Sequence, residues 1–106
     1  MSHLLTILQL HRGKHRAITG KELAQLLGDT DDRLLRKEIR GLIAEGHPIA
    51  SSTEKPYGYF IADSIQEAEE YIQSLRSRLV EDALRRRDFK KAAAKSLTKE
   101  KQLALI

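Results

Sequence analysis

Leucine and isoleucine recur at intervals of three and four residues in the N-terminal part of the chain, which is the spacing of amphipathic helices. The first run predicts a helix over His3–Leu10. Thr19, followed three residues later by Glu22, has the capping-box pattern and predicts the start of a second helix, which ends at Gly28. A new group of capping residues then predicts a third helix, from Thr30 to Glu45.

The pattern changes after the third helix. Residues 47–62 contain Pro48 and two short β-like runs around a turn-rich segment, which predicts a β-hairpin. Ser64 and Glu67 repeat the capping-box pattern, and neither Gly nor Pro interrupts the chain from there to Lys95. We therefore expect a mainly α fold with a small β-hairpin, followed by a long C-terminal helix of roughly 45 to 50 Å.

Length and composition limit the function classes. With 106 residues the chain has room for one domain of ordinary size, and with 5% aromatic residues its core must be mostly aliphatic. The absence of Cys excludes disulfides, thiolate metal sites and a cysteine nucleophile. No apolar run approaches the ~20 residues of a membrane span, and the N-terminus lacks the pattern of a secretory signal. We expect a cytoplasmic protein without membrane association.

The basic residues are concentrated at the two ends of the chain. The net charge is +4, which by itself only raises the expectation of an anionic partner. Residues 1–46 carry eight basic and six acidic groups, residues 47–83 three and seven, and residues 84–106 eight and two.

The third predicted helix separates basic from apolar side chains. At 100° per residue its other basic residues lie within about 60° of Arg33, whereas its apolar residues cluster on the opposite side. The basic set is Arg33, Arg36, Lys37 and Arg40, and the apolar set is Leu35, Ile39 and Leu42. The planar arginine fork suits guanine edges and phosphates. An ordinary solvated helix face is the alternative.

The order of these elements supplies a family resemblance. Two capped helices joined by a tight turn, with a hairpin after the second, have the order of a helix-turn-helix with a wing. The segments LLTILQL, AITGKELAQLL, DDRLLRKEIRGLIAEGHPI and GYFIA carry the likeness. Over residues 3–62 the chain resembles the winged-helix DNA-binding domains of the biotin-repressor and DeoR-repressor type. The resemblance implies that Ile18 pairs with the wing, that Thr19 caps a helix, and that Gly46–Ile49 turns into the wing.

The resemblance also implies the DNA contacts. The third helix would enter the major groove, with its four basic residues Arg33, Arg36, Lys37 and Arg40 against bases or phosphates. Lys21 and Thr30 would hold phosphates, and Lys55 in the hairpin would contact the minor groove or a phosphate. Asp31 and Asp32 depart from the usual pattern of such repressors. They would either read cytosine amino groups or cap the helix.

The long helix carries a coiled-coil-like stripe and a basic end. The stripe consists of Ile65, Ala68, Ile72, Leu75 and Leu79. It would either pack back on the preceding domain or pair with a second copy, giving a homodimer through residues 65–80. The basic stretch from Arg85 to Lys101 would either follow DNA phosphates or form a solvated tail.

We therefore expect three segments: a winged helix-turn-helix domain over residues 1–62, a long helix over 63–95 and a tail over 96–106. The expected function is sequence-specific binding of double-stranded DNA, in transcription regulation or in an accessory role in phage or plasmid functions. The alternative is a protein–protein interaction module built on a winged helix. No catalytic motif, cofactor motif or small-molecule site is present, and His11 and His15 lack a third metal ligand. We expect neither an enzyme nor a metalloprotein.

Overall fold

The computed structural model describes residues 3–97, which form four helices and one small antiparallel hairpin. The described chain is mainly helical, as predicted, and forms two compact units that divide between Tyr71 and Ile72. Apart from Ser96 and Leu97, the predicted tail lies outside the described residues. The elements are α1 (His3–Leu8), a 3-10 turn (Lys14–Arg16), α2 (Gly20–Leu26), α3 (Asp32–Ala44), β1 (Ile49–Ser52), β2 (Gly58–Ile61) and α4 (Ile65–Leu97).

The two predicted capping boxes both begin helices. The Thr19 hydroxyl accepts a 3.1 Å hydrogen bond from the backbone N–H of Glu22 at the start of α2. The Ser64 hydroxyl accepts a 3.1 Å bond from the N–H of Glu67 at the start of α4. Each bond satisfies an N–H that has no partner inside its helix, so the local sequence fixes both starting points.

The first and third helices are shorter than predicted. Helix α1 ends at Leu8 instead of Leu10, because the following N–H groups of Leu10 and His11 bond the carbonyls three residues back and tighten the chain into a turn. Helix α3 begins at Asp32 instead of Thr30. The Thr30 N–H returns to the end of α2, where it bonds a carbonyl at 3.2 Å, so Thr30 belongs to the turn.

The turn between α2 and α3 uses two residues in the left-handed backbone region. Gly28 has φ 82° and Asp29 has φ 60°. Gly adopts this conformation without steric cost, and Asp tolerates it better than most residues. The Thr30 hydroxyl donates to the Leu27 carbonyl at 3.1 Å and Asp31 caps α3, which completes a tight connection.

A Schellman motif ends α3 and directs the chain into the predicted hairpin. Gly46 has φ 110°, its N–H bonds the Ile43 carbonyl at 3.0 Å, and the N–H of His47 bonds the Leu42 carbonyl at 3.1 Å. Strands β1 and β2 then pair antiparallel, in a register that runs from Ile49 opposite Ile61 to Ser52 opposite Gly58.

The segment between α1 and α2 adds backbone pairing to the hairpin, as the resemblance implied for Ile18. The Ile18 N–H donates to the Tyr59 carbonyl at 2.9 Å, and the Tyr59 N–H donates to the Ile18 carbonyl at 2.7 Å. A further bond, 2.8 Å long, joins the N–H of Gly13 to the Ile61 carbonyl. The hairpin is therefore tied to the chain that precedes α2.

One aliphatic core joins these elements in the unit that ends at Tyr71. Every helix from α1 to α3, the Ile18 segment and both strands contribute to it. Its buried members are Leu4, Leu8, Ile18, Leu23, Leu35, Ile39, Leu42, Ile49 and Ile61. Burial of this apolar surface holds α3 in place and leaves its opposite side to solvent.

Substitution of Gly58 by alanine should strongly destabilise the fold. A Cβ at this position, where φ is 122°, would lie 2.0 Å from the Ile18 carbonyl oxygen, which belongs to the backbone and has little freedom to move. We expect the free energy of unfolding to fall by about 2 kcal/mol or more in urea titrations.

Gly41→Ala is the matched control. Gly41 lies inside α3, and nothing described lies within 4 Å of a Cβ built there. This substitution should raise the free energy of unfolding by about 0.5 to 1 kcal/mol. Equal effects of the two substitutions would show that the approach of Gly58 to Ile18 is unimportant.

Candidate nucleic-acid interface

Helix α3 presents a basic face to solvent, as its sequence predicts. The predicted apolar set, Leu35, Ile39 and Leu42, is buried in the core. The four predicted basic residues, Arg33, Arg36, Lys37 and Arg40, are all exposed. The small residues Gly41 and Ala44, further along the helix, are also exposed.

The four basic side chains differ in their partners. Arg36 forms an ion pair with Asp32, with 2.9 Å between its Nη2 and the Asp32 carboxylate, and both side chains are mostly exposed. Among the described residues, no carboxylate lies within ion-pair distance of Arg33, Lys37 or Arg40. These three residues give the face an uncompensated positive charge along two turns of helix.

Asp31 and Asp32 have structural roles at the start of α3. The Asp31 carboxylate accepts a 2.8 Å hydrogen bond from the N–H of Leu34 and is the N-cap of the helix. Asp32 lies in the first turn and pairs with Arg36 four residues later. Both carboxylates also lie where the helix dipole stabilises negative charge. The interpretation of Asp31 as a cap is confirmed.

The other predicted contacts lie on separate elements. Lys21 is exposed in the first turn of α2, and Lys55 is exposed in the turn between β1 and β2. Thr30 is half-buried, and its hydroxyl hydrogen is directed to the Leu27 carbonyl. A phosphate contact through the Thr30 hydroxyl would have to replace that bond.

Lys14 contacts the hairpin turn that carries Lys55, and sequence reasoning missed this residue. Its ammonium group forms an ion pair with Glu54 in the hairpin turn, and its backbone N–H donates to the Glu67 carboxylate at 3.1 Å. The hydrogen bond with Glu54 raises the pKa of Lys14, and the same bond lowers the pKa of Glu54. Lys14 therefore offsets the negative charge next to Lys55. The pair spans 40 residues of sequence, so no local pattern could have indicated it.

Glu67 links the start of α4 to the 3-10 turn. Besides the Lys14 bond, its carboxylate accepts a 2.9 Å hydrogen bond from the N–H of Asp63. The hydrogen bonds from Asp63 and then Lys14 lower the pKa of Glu67, because they stabilise its ionised form. This carboxylate therefore fixes the chain that leaves the hairpin.

In the second unit, from Ile72 onward, most side chains of α4 are exposed to solvent. Its exposed apolar side chains include Ile72, Leu75, Leu79, Val80 and Leu84. Its basic residues from Arg85 to Lys95 are exposed, except for the half-buried Lys90. Within residues 3–97 no three His, Cys, Asp or Glu side chains are grouped to hold a metal ion.

Comparison with protein-family models, with characterised proteins and with solved structures finds no match to this chain. None of the helices in the described part of the chain has the length and apolar character needed to cross a membrane.

Replacement of Asp31 separates its capping role from its charge. Asp31→Ala removes the acceptor of the Leu34 N–H bond and should lower the free energy of unfolding by about 1 kcal/mol. Asp31→Asn keeps an acceptor and should stay within a few tenths of a kcal/mol of the parent protein. Thermal or urea unfolding followed by circular dichroism measures both.

Asp32→Ala is the control, because Asp32 is a neighbouring acid of the first turn but is not the N-cap. Its pair with Arg36 is exposed and worth about 0.5 kcal/mol or less. A loss in Asp31→Asn as large as in Asp31→Ala would contradict the capping role.

Glu67 should make the stability of the fold depend on pH. Because its pKa in the folded protein is below the ordinary value of 4.5, its contribution is complete above that pH. The contribution is lost as the pH falls through the lower, folded pKa. Glu67→Gln should therefore reduce the free energy of unfolding at pH 7 by about 1 kcal/mol. The variant should also lose stability less steeply than the parent between about pH 5 and 3.

Glu69→Gln is the matched control, since Glu69 is an exposed acid of the same helix. It should follow the parent pH profile in urea titrations. Parallel profiles for the parent and Glu67→Gln would rule out the assigned role of Glu67.

Proposed function

We propose that this protein binds double-stranded DNA sequence-specifically as a winged helix-turn-helix protein, with α3 as the recognition helix. The observation that carries the proposal is the exposed basic face of α3. There, Arg33, Lys37 and Arg40 have no carboxylate partner among the described residues, whereas the opposite face is anchored in the core. A rigidly held helix with free arginine forks suits the major groove, which admits an α-helix and presents paired acceptors on guanine.

The surrounding elements support this proposal. A tight turn connects α2 directly to α3. In a helix-turn-helix, two helices joined in this way cross the DNA backbone with the first and enter the groove with the second. The β1–β2 hairpin follows α3 directly and is joined by the Ile18 segment. This is the order of a wing.

Phosphate contacts are assigned to the basic residues outside α3. Lys21 is exposed at the start of α2, and Lys55 is exposed at the hairpin turn next to the exposed ring of Tyr57. Such contacts position a protein on the duplex without reading sequence. Lys14 favours the Lys55 contact, because it offsets the charge of Glu54, which would otherwise repel a phosphate.

The proposed role of the protein is regulation of transcription or an accessory function in DNA transactions. The rival is a protein-interaction module on the same fold. It predicts that the basic face of α3 makes no contribution to DNA binding.

Alanine substitution of Arg33 and Arg40 should abolish specific binding. With a duplex selected from a random pool, each single substitution should weaken binding by about tenfold or more, corresponding to about 1 to 3 kcal/mol. The preference for the selected duplex over a random one should also fall. Fluorescence anisotropy at several salt concentrations measures affinity and the number of phosphate contacts together.

Lys90→Ala/Lys91→Ala is the charge-matched control, since it removes two basic side chains from α4. It should leave the preference between the two duplexes unchanged, whatever it does to total affinity. Parent protein that fails to bind any duplex at about 50 mM salt would refute DNA binding and favour the protein-interaction module.

A further inference from the structure

The last part of α4, residues 84–97, carries all of the net positive charge of this chain. We call this segment the basic end of α4. Of the 19 basic and 15 acidic residues of the chain, it contains six and one, which leaves 13 basic and 14 acidic residues elsewhere. Without it, the net charge would be −1 instead of +4. Long-range attraction of a polyanion therefore depends on this segment. Its basic residues are Arg85, Arg86, Arg87, Lys90, Lys91 and Lys95.

Four of these basic residues lie in one sector of the helix surface. They are Arg86, Arg87, Lys90 and Lys91. At 100° per residue they lie within about 140° of the helix circumference. None of the acidic residues between positions 81 and 97 falls in this sector. Three of the four side chains are exposed, and Lys90 is half-buried. The sector is therefore a basic surface without interspersed acids.

Most of this charge has no partner in the part of the chain that the structure describes. No carboxylate there lies within ion-pair distance of Arg86, Lys90 or Lys91. Arg87 pairs with the adjacent Asp88 at 3.3 Å, but both side chains are more than half exposed, and such pairs are weak. Arg86 repels Lys90, and Arg87 repels Lys91, because like charges four residues apart on a helix are neighbours. An anion bound across the sector would relieve this repulsion.

The helix dipole does not account for these four residues. Basic side chains stabilise the C-terminal end of a helix, but the effect falls off within the last turn. The last turn of α4 contains Lys95 alone among the basic residues. The sector from Arg86 to Lys91 ends six residues before the end of the helix at Leu97. Its charges therefore gain little from the dipole.

The residue types of the basic end favour a phosphate backbone over a membrane surface. A helix that lies on a membrane needs several large apolar side chains opposite its basic face. Between Arg85 and Lys95, Phe89 is the one large apolar residue. The sector from Arg86 to Lys91 is about 7.5 Å long at 1.5 Å per residue. Over that length a DNA duplex carries about four phosphate charges, at ~1.7 Å of its axis per charge.

We propose that the basic end of α4 binds the phosphate backbone of double-stranded DNA through Arg86, Arg87, Lys90 and Lys91. This inference rests on the proposed function for its choice of polyanion. It adds a second surface, in the second unit, that contributes affinity without reading sequence. The contacts of α3 determine which duplex is preferred, whereas those of α4 strengthen binding to every duplex.

Fluorescence anisotropy of the full chain with a random-sequence duplex, across a series of salt concentrations, tests the proposal. Lys90→Gln/Lys91→Gln removes two of the four charges and keeps good helix formers at both positions. Binding should weaken at least about fivefold at about 100 mM salt. The slope of log affinity against log salt should become shallower by about one to two, since each lost phosphate contact contributes roughly 0.9. Lys90→Arg/Lys91→Arg keeps both charges and should bind like the parent.

Arg76→Gln/Arg78→Gln is the matched control, because it removes two exposed charges from α4 outside the basic end. It should change the salt slope by less than about 0.5. Equal changes in this variant and in Lys90→Gln/Lys91→Gln would show that net charge alone matters and would overturn the proposal. An unchanged slope in Lys90→Gln/Lys91→Gln would also overturn it. Weaker binding of that variant to vesicles of phosphatidylcholine and phosphatidylserine would then assign the basic end to a membrane surface.

The ratio of affinities for the selected and the random duplex distinguishes this proposal from the proposed function of α3. Lys90→Gln/Lys91→Gln should lower both affinities and keep their ratio, whereas Arg33→Ala/Arg40→Ala should lower the ratio. A parent protein that prefers the selected duplex, with a salt slope independent of Lys90 and Lys91, would refute the role of the basic end alone. A parent protein without preference, whose binding still depends on Lys90 and Lys91, would refute sequence reading by α3 alone.

Discussion

The close approach of two backbone segments at Ile18 and Tyr59 is the constraint on which the first unit depends. Reciprocal hydrogen bonds of 2.9 and 2.7 Å join these residues, and the approach requires glycine at position 58. It ties the chain entering α2 to the hairpin that follows α3. Helices α2 and α3 therefore lie between two segments that are bonded to each other, and these segments enclose the aliphatic core. A side chain at position 58 would separate these segments, and with them the elements that orient α3.

Because the bonded segments enclose the core, α3 has one side buried in that core and one side exposed to solvent. Leu35, Ile39 and Leu42 are fixed in the core, so the rotation of the helix about its axis is set by packing. Basic side chains on the other side are therefore presented in one orientation. A flexible segment of equal charge would bind phosphates but would lose more conformational entropy on ordering. Because α3 is held in one orientation, its basic side chains suit the recognition of base sequence in the proposed complex, in addition to the attraction of phosphates.

Local features of the structure followed from the sequence, and those that join distant segments did not. The caps at Thr19 and Ser64 and the buried side of α3 depend on residues three or four apart, so their spacing sufficed. The pairing of Ile18 with the hairpin was inferred only by resemblance. The Lys14–Glu54 pair and the requirement for Gly58 depend on tertiary proximity and had no sequence signal. The Asp32–Arg36 pair had a readable spacing, but its residues were interpreted separately, Asp32 as a cap or a cytosine contact and Arg36 as a DNA contact.

The acids at the start of α3 limit where a phosphate can approach in the proposed complex. The Asp31 carboxylate caps α3, and Asp32 follows it in the first turn. These two negative charges outweigh the positive end of the helix dipole at the N-terminus of α3. Attraction therefore increases along the helix, from Arg33 toward Lys37 and Arg40. Arg36 remains available, because its pair with Asp32 is exposed and such pairs contribute about 0.5 kcal/mol or less. In the proposed complex a phosphate or a guanine edge would replace Asp32 as the partner of that guanidinium, and the Asp32 carboxylate would then remain in solvent. In the proposed complex the acids thus favour a register that is centred on the middle of α3, with Arg33 at its edge.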